Sequence, residues 1–392
     1  MSEAPPGLSN PQIARYGRQL ILPAFGAPAQ RSLCASSVLV IGAGGLGCPA
    51  ILYLAAAGVG RLGIVDHDVV DVSNLHRQVA HREAAAGTPK AESAKAAALG
   101  VNSSIEVEAV CEKLSSGNAL ELFRRYDVVV DATDNPGTRY LINDACVLAG
   151  VPLVSGAALG MDGQLSVYNF KGGPCYRCMY PDPPARSTFT SCSDGGVLGP
   201  VPGLIGVQQA MEAIKVVTGI GKTLSQRLLV YNAEDALFRV MKLRPRSSTC
   251  AVCGDEPTIT SLADTFVLDE FCVCRDVPSI EAPPKARTDG AAAAISATCE
   301  DHVLLDVRVP VQFGICSLPG AVNLPLARLV DHPETLTEAV GDAPPKVFVV
   351  CRRGIDSLTA AEVLRSRGLD AVNIAGGLQR WAADVDPSFP VY

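Results

Sequence analysis

Three sets of residues in this sequence have types and spacings suited to chemistry. The first is "GAGGLG", residues 42–47, which places Gly42, Gly44 and Gly47 in a G-x-G-x-x-G pattern directly after the apolar run "VLVI". Glycines between a strand and a helix let backbone N–H groups approach phosphate, and the helix N-terminus adds positive potential. The second set is two C-x-x-C pairs, "CYRC" with Cys175 and Cys178 and "CAVC" with Cys250 and Cys253. Together they offer four thiolates, the donor set of a closed tetrahedral zinc site, and no histidine stands near either pair in the sequence. Two redox pairs or unrelated core cysteines are the weaker alternatives. The third set is "VVCRRGIDS", where Cys351 follows an apolar run and precedes a helix-like pattern.

The glycine loop alone does not choose between NAD and ATP. Asp66 ends the next strand, where an acid can hold the ribose hydroxyls of either nucleotide. The residues that follow decide. "VDHDVVDVSNLHRQ" supplies Asp68, Asn74, Arg77 and Gln78, Lys90 lies on a helix-like stretch beyond, and "DATDN" supplies Asp131, Asp134 and Asn135 at another strand end. "RYGRQLIL" near the start adds Arg15 and Arg18. Hydride transfer needs no such set of cations and metal-binding carboxylates. Expulsion of pyrophosphate from ATP does, because Arg, Lys and magnesium must neutralise the leaving group. Any one of these residues alone reads equally well as a surface charge, so the argument rests on their arrangement at strand ends.

Two chemistries place a cysteine in a strand–loop–helix cradle. A thiol phosphatase grips phosphate with an arginine at the position that here is Ser357, and Arg352 and Arg353 do not repair that spacing. The short loop suits a single sulfur atom, and so a persulfide. Backbone N–H groups and the helix N-terminus favour anionic sulfur there, and the two arginines draw in an anionic donor. A plain buried cysteine ending a strand is the bland alternative. Cys192 stands in "PARSTFTSCSDGGVLGP", a loop without periodicity, of the kind that often carries chemistry although most lone loop cysteines are inert. Cys272 and Cys274 in "FCVCRD" have the wrong spacing for a second metal pair and take no role. Cys34, Cys48 and Cys146 lie in apolar context and read as core.

The elements that must position these groups are legible in outline. The chain has 392 residues, 48% of them apolar and 19% charged, which suits two domains with sizeable cores. A strand at 38–41, a helix at 49–57 ending at Gly58, a strand at 61–65 and strands in "YDVVVDATD" and "GVPLVSGAA" alternate as in a parallel, doubly wound α/β sheet. "GQLSVYNF" suggests antiparallel strands. From about 262 to 298 the texture becomes Pro- and Ala-rich. The expected division is therefore a first domain over 1–262, a linker over 263–289 and a second domain over 290–392, where "HVLLDVR", "AVNLP", "KVFVVC" and "AVNIAGG" restart the α/β pattern. The net charge of -7 argues against a nucleic-acid-holding protein. No apolar run is long enough for a membrane span, and the N-terminus has no signal-peptide pattern. With 14 cysteines in so long a chain, metal or thiol chemistry in the cytosol is expected rather than disulfides.

"RYGRQLIL", "GAGGLGCP", "VDHDVVDVSNLHRQ", "DATDN" and "TRYLIND" resemble the adenylating family that activates ubiquitin-like sulfur carriers, over roughly 11–253. The resemblance implies a Rossmann-like adenylating domain in which Gly45, Asp66, Ser73, Asn74, Leu75, His76, Arg77, Lys90, Asp134 and Asn135 surround ATP. It further implies that Asp134 holds magnesium, that Arg15 reaches the triphosphate across a homodimer, and that the four paired cysteines bind one structural zinc. Cys192 matches the active-site cysteine of the ubiquitin-activating relatives, as a thioester former or a thiol in acyl-disulfide exchange. The substrate implied is the C-terminal carboxylate of a small ubiquitin-fold protein ending in Gly-Gly.

"LLDVRVPVQFGICSLPGAVNLP", "CRRGIDS" and "GGLQRWAADVDPSFPVY" resemble a rhodanese domain over about 290–392, which implies that Cys351 carries a persulfide. Asp306 and Arg308 then either are structural or rim the pocket. The Ala-rich segment before "HVLLDVR" departs from that family. The combined layout resembles the enzymes that adenylate and then thiolate carriers for molybdopterin synthase and for tRNA thiolation. A cysteine desulfurase or thiosulfate is the expected sulfur donor, with no membrane and no direct nucleic-acid contact. The rival reading is a modifier-activating enzyme whose rhodanese fold is a non-catalytic docking module.

Overall fold

The computed structural model describes residues 7–183, 196–265, 302–332, 335 and 346–392. Cys192, Cys272, Cys274, most of the expected linker and the start of the second domain lie outside the described residues. The chain divides into two compact units, Met1–Cys274 and Arg275–Tyr392.

The first unit runs α1 (Asn10–Leu20), α2 (Gly26–Ala35), β1 (Ser37–Ile41), α3 (Gly47–Ala57), β2 (Arg61–Val65), α4 (Lys90–Val101), β3 (Glu106–Val110), α5 (Ala119–Phe123), β4 (Val128–Asp131), α6 (Pro136–Ala149), β5 (Leu153–Leu159), β6 (Asp162–Tyr168), α7 (Tyr176–Met179), α8 (Pro200–Thr218), β7 (Arg227–Asn232) and β8 (Leu237–Lys242). The sheet order is β3-β2-β1-β4-β5-β6-β7-β8. Pairing is parallel from β3 to β5 and antiparallel from β5 to β8. This is the expected doubly wound fold class, extended by an antiparallel wing. β1 and β4 are buried on both faces, which is why both read as unbroken apolar runs rather than alternating ones. One core, with Val38, Val40, Ile51 and Leu54, fills one side of the sheet, and another, with Leu39, Ile41, Leu141 and Ile142, fills the other. Chain order reverses between β1 and β4, and a crevice opens above such a reversal at the carboxyl ends of the strands.

Gly58 ends α3 in the left-handed region, φ 91°, where a side chain would strike the Tyr16 ring. α3 begins two residues earlier than the 49–57 stretch suggests, because the loop glycine Gly47 already turns into it.

The second unit runs β9 (Val303–Asp306), α9 (Pro310–Ile315), β10 (Val322–Asn323), α10 (Leu326–Asp331), β11 (Val347–Val350), α11 (Asp356–Ser366), β12 (Ala371–Asn373) and α12 (Gly377–Asp384). Its sheet is parallel in the order β10-β9-β11-β12. Along β11, Val347 and Val349 face one core while Phe348 and Val350 face the other, so the strand is buried throughout and delivers Cys351 from between two packed layers.

On β3, Glu108 accepts hydrogen bonds from Arg61 (2.6 Å), Arg125 (2.7 Å) and the Tyr126 hydroxyl (2.9 Å). Partial burial opposes its charge, but these donors outweigh it and draw the carboxyl from 4.5 down to about 2. A carboxyl held low in the folded state stabilises the fold above its unfolded value, and that contribution fades as pH falls toward the folded one. Glu108→Gln is expected to cost roughly 1 kcal/mol at pH 7, screened by solvent. Urea melts should show this difference shrinking between pH 4.5 and 2.

Candidate functional site

A cleft of about 410 Å³ lies over the carboxyl ends of β1 to β4. Gly45, Asp66, Asn74, Arg77, Lys90, Asp134 and Asn135 all line it. The glycine loop enters under tight constraint. Gly42 has φ 96°, and a Cβ there would approach the Ala132 carbonyl to 2.8 Å. A Cβ at Gly47 would collide with the Gly42 carbonyl. Ala43, between them, donates its N–H to Asp66 Oδ2 (2.7 Å), while Asp66 Oδ1 accepts from the Asp68 N–H (2.9 Å). Asp66 therefore fixes the loop's path and keeps further lone pairs for a ligand. The Ala43 carbonyl in turn accepts from His81 Nε2 (2.8 Å), whose Nδ1 meets Ser93 Oγ (2.9 Å). Burial holds His81 below its ordinary pKa, so the neutral ring is the donor. Sequence reasoning missed His81, which no motif spacing marks.

Lys90 is buried, with its ammonium 2.8 Å from Asp68 Oδ2. Arg77 donates to Asn74 Oδ1 (2.8 Å) and reaches His76 Nε2 (3.1 Å). A guanidinium only donates, so His76 Nε2 accepts and its Nδ1 carries the proton toward the Ser73 carbonyl at 2.8 Å. Ser73, Leu75 and His76 do not line the cleft; they form the short turn that carries Asn74 and Arg77. Asp71 caps that turn on the Ser73 N–H and hydroxyl, which hold its carboxyl below the usual range. Arg15 does not line its own chain's cleft; its guanidinium donates to the Val101 carbonyl (3.2 Å).

Asp131 is fully buried and accepts from the Thr133 hydroxyl (2.7 Å), Ser155 (2.7 Å) and Arg139 (3.1 Å). Its backbone carbonyl accepts from Gln209 (2.6 Å). It is thus the anchor of the turn that presents Asp134 and Asn135. Asn135 caps α6 through the Gly137 N–H (2.8 Å), whereas Asp134 is exposed at the cleft. Glu112 and Lys113, after β3, also line the cleft, and no motif pointed to them.

The four paired cysteines converge as their spacing suggests. Sγ separations are 3.8 Å for Cys175 and Cys178, 3.6 Å for Cys175 and Cys250, and 3.4 Å for Cys178 and Cys253. A tetrahedral zinc–thiolate site has sulfur–sulfur edges of about 3.8 Å, so these residues fit a metal. Arg177, inside the first pair, makes a two-pronged bond to Asp144 on α6 at 2.7 Å. Cys48 and Cys146 are core as expected: burial pushes the first up to about 12 and raises the second well above its ordinary value.

In the second unit Cys351 is 2% exposed. Its Sγ accepts from the Gly354 N–H (3.1 Å) and from Ser357 Oγ (3.2 Å). Ser357 thus puts a hydroxyl on the sulfur where a thiol phosphatase would need its arginine. The loop is pinned from behind: the Cys351 and Arg352 carbonyls accept from Leu378 (3.0 Å) and Gln379 (3.1 Å) at the start of α12. Gly354, at φ 84°, has no room for a side chain against Gly376. Asp306 and Arg308 are buried and joined at 2.6 Å, which selects the structural reading over a place on the pocket rim.

Comparison with known proteins agrees with both halves. Residues 16–252 match the ThiF family and residues 290–384 match the rhodanese-like domain. The chain is 50% identical to the Arabidopsis thaliana protein named adenylyltransferase and sulfurtransferase MOCS3, covering 98% of this chain and 87% of the relative. The Danio rerio protein of the same name is 45% identical over 98% of this chain and 88% of its own. Among solved structures, E. coli MccB crystallised with ATP is similar in fold, with a TM-score of 0.54 and 24% identity over 61% of this chain and 74% of that one. Among the described residues, no helix is long and apolar enough to cross a membrane.

The thiolate cluster generates a direct expectation. The purified protein should release about one equivalent of a thiophilic divalent metal per chain on titration with a mercurial, read by a chromogenic chelator. Cys250→Ser should lower that content several-fold and lower the melting temperature of the first unit.

Proposed function

The chain belongs to the ThiF family and carries a rhodanese-like domain, and from that premise we propose that it adenylates the C-terminal glycine of a ubiquitin-like sulfur carrier and then passes it sulfur from Cys351. It is an adenylyltransferase and sulfurtransferase, and its activity serves sulfur-carrier activation. The finer assignment rests on one observation above the others: a single cleft combines the glycine-loop turn with Arg77, Lys90 and the exposed Asp134.

In this reading the N–H groups about Gly45 and the cations of Arg77 and Lys90 meet the phosphates. Asp134 would hold the magnesium of Mg-ATP, and Arg15 would come from the second copy of a homodimer. The carrier's terminal carboxylate attacks the α-phosphorus, the bond to the bridging oxygen breaks, and pyrophosphate leaves. A free carboxylate is a poor electrophile, and the acyl-adenylate gives it a good leaving group. Zinc is the ion assigned to Cys175, Cys178, Cys250 and Cys253, and it would tie the segment bearing the second pair to the one bearing the first.

Cys351 receives a sulfane sulfur from thiosulfate or a cysteine desulfurase. The Gly354 N–H and Ser357 hydroxyl, both aimed at its sulfur, stabilise the negative charge of the attacking form. The terminal persulfide sulfur attacks the acyl carbon and AMP departs. The acyl disulfide then opens when a thiol, assigned to Cys192 on the family resemblance, attacks Cys351 Sγ and expels the thiocarboxylate. The resulting disulfide needs an external dithiol for reduction. The carriers assigned are those of molybdopterin synthesis, of tRNA thiolation, or of both.

ATP–pyrophosphate exchange in the presence of a Gly-Gly-ended carrier tests the first half. Lys90→Ala is expected to lower kcat/KM for exchange by about a hundredfold, or about 2.7 kcal/mol. Exchange unaffected by this change would contradict the placement of ATP. Cys351→Ala should abolish sulfur transfer from thiosulfate to cyanide, and retained transfer would move the second reaction to another thiol.

A further inference from the structure

Arg352 stands next to the reacting cysteine, and part of what holds it comes from far along the chain. Its guanidinium lies 4.9 Å from the centre of the Tyr392 ring. The Tyr392 hydroxyl accepts from Arg308 Nη1 at 2.6 Å, and the Arg308 guanidinium lies 5.8 Å from the same ring. Arg308 is itself immobilised. It is 2% exposed, is forked onto both oxygens of Asp306, and donates to the carbonyls of Cys316 (2.6 Å) and Gln312 (3.1 Å). A rigid buried pair therefore holds the Tyr392 ring both by its hydroxyl and through its face, and the ring holds the guanidinium of Arg352, the residue next to Cys351 in the chain.

The segment carrying Tyr392 is tied down before it arrives. The Asp386 carboxylate accepts from the Ser388 N–H (3.0 Å) and hydroxyl (2.6 Å), and Phe389 packs on the core with Leu304 and Leu378. The Pro390 carbonyl accepts from the Cys316 thiol at 3.7 Å. The match to the rhodanese-like domain stops at residue 384, so Tyr392 lies beyond the matched residues.

We propose that Tyr392 is a positioning residue for sulfur transfer, holding Arg352 where its charge meets a sulfane sulfur carried on an anion as that donor approaches Cys351. The inference rests on the reading of Cys351 as the sulfur carrier and deepens it. In the loading step the Cys351 thiolate attacks the sulfane sulfur and a new S–S bond forms. The old bond breaks, and its electron pair leaves on the donor as sulfite or as a thiolate. Negative charge collects on that leaving group, and a fixed guanidinium neutralises it. Thiosulfate and low-mass or protein persulfides share this chemistry. The contact with Arg352 uses the ring face rather than the hydroxyl, so the benzene ring alone preserves it.

The test uses the full chain, with cyanide as acceptor and two probes as donors, thiosulfate and glutathione persulfide. Tyr392→Leu is expected to raise KM for the donor about tenfold, with kcat within about twofold and unchanged melting. Tyr392→Phe should restore KM to near the wild-type value. Combining Tyr392→Leu with Arg352→Ala should be no worse than Arg352→Ala alone, because both remove the same interaction. A rise with both donors assigns the device to the shared anionic group, and a rise with one confines it to that donor. If Tyr392→Leu lowers the melting temperature, Tyr392→Met carries the same comparison with more of the packing kept. An unchanged KM, a Phe variant as impaired as the Leu variant, or additive effects in the double variant would overturn the proposal. Cys351→Ala must abolish transfer from both donors; residual transfer would instead overturn the reading of Cys351, and the positioning role with it.

Discussion

The ion pair of Asp131 with Arg139, sealed beneath the cleft, is the constraint on which the first unit's candidate site depends. Asp131 ends β4 with no exposed surface, and its partners are Arg139, Ser155 and Thr133. Removing one member of such a buried pair costs about 3–5 kcal/mol, because the other charge is left without compensation. Here the pair does more than stabilise. It fixes the turn that presents Asp134 and Asn135, and it anchors α6, whose Asp144 grips Arg177 between the first two thiolates. The cleft and the four-cysteine cluster therefore hang on one helix.

The second unit repeats the device. Asp306 also ends a parallel strand, is also fully buried, and is also paired with an arginine, Arg308. It lies opposite Val350 in the sheet, one residue before Cys351. In both units a buried acid at a strand end holds the local structure. Asp66 also shapes its loop, spanning the Ala43 and Asp68 N–H groups, while it lines the cleft. Carboxylates at the carboxyl ends of these strands thus first shape loops, and Asp68, just beyond β2, also holds the Lys90 ammonium at the cleft.

How much of this was legible in the sequence follows from range. The glycine loop, "DATDN" and "CRRGIDS" are short and sit where an apolar run ends, so local pattern located both sites. The C-x-x-C spacing pointed across a long gap to the convergence of Cys175, Cys178, Cys250 and Cys253, because such pairs have few other uses. His81, Lys113 and Tyr392 were not legible, since each reaches its site by a tertiary contact that leaves no period. β8 escaped notice because all six of its residues are exposed, which removes the alternation that marks a half-buried strand. The first turns of α8 carry Pro200, Pro202 and Gly203, which disguise the start of the long helix. Arg15 points to the Val101 carbonyl within its own chain, and a contribution to a second chain's cleft is a matter of assembly that one chain does not display.

The central claim is that sulfur held on Cys351 ends on the carboxylate that the first unit activates. The mass of a Gly-Gly-ended carrier, taken after incubation with the full chain, Mg-ATP and thiosulfate, measures this directly. Wild type is expected to convert the carrier to the species in which one carboxylate oxygen has become sulfur, and Cys351→Ala to yield none of it while still consuming ATP. Equal amounts of thiocarboxylate from the two proteins would contradict the account and leave the rhodanese fold as a docking module.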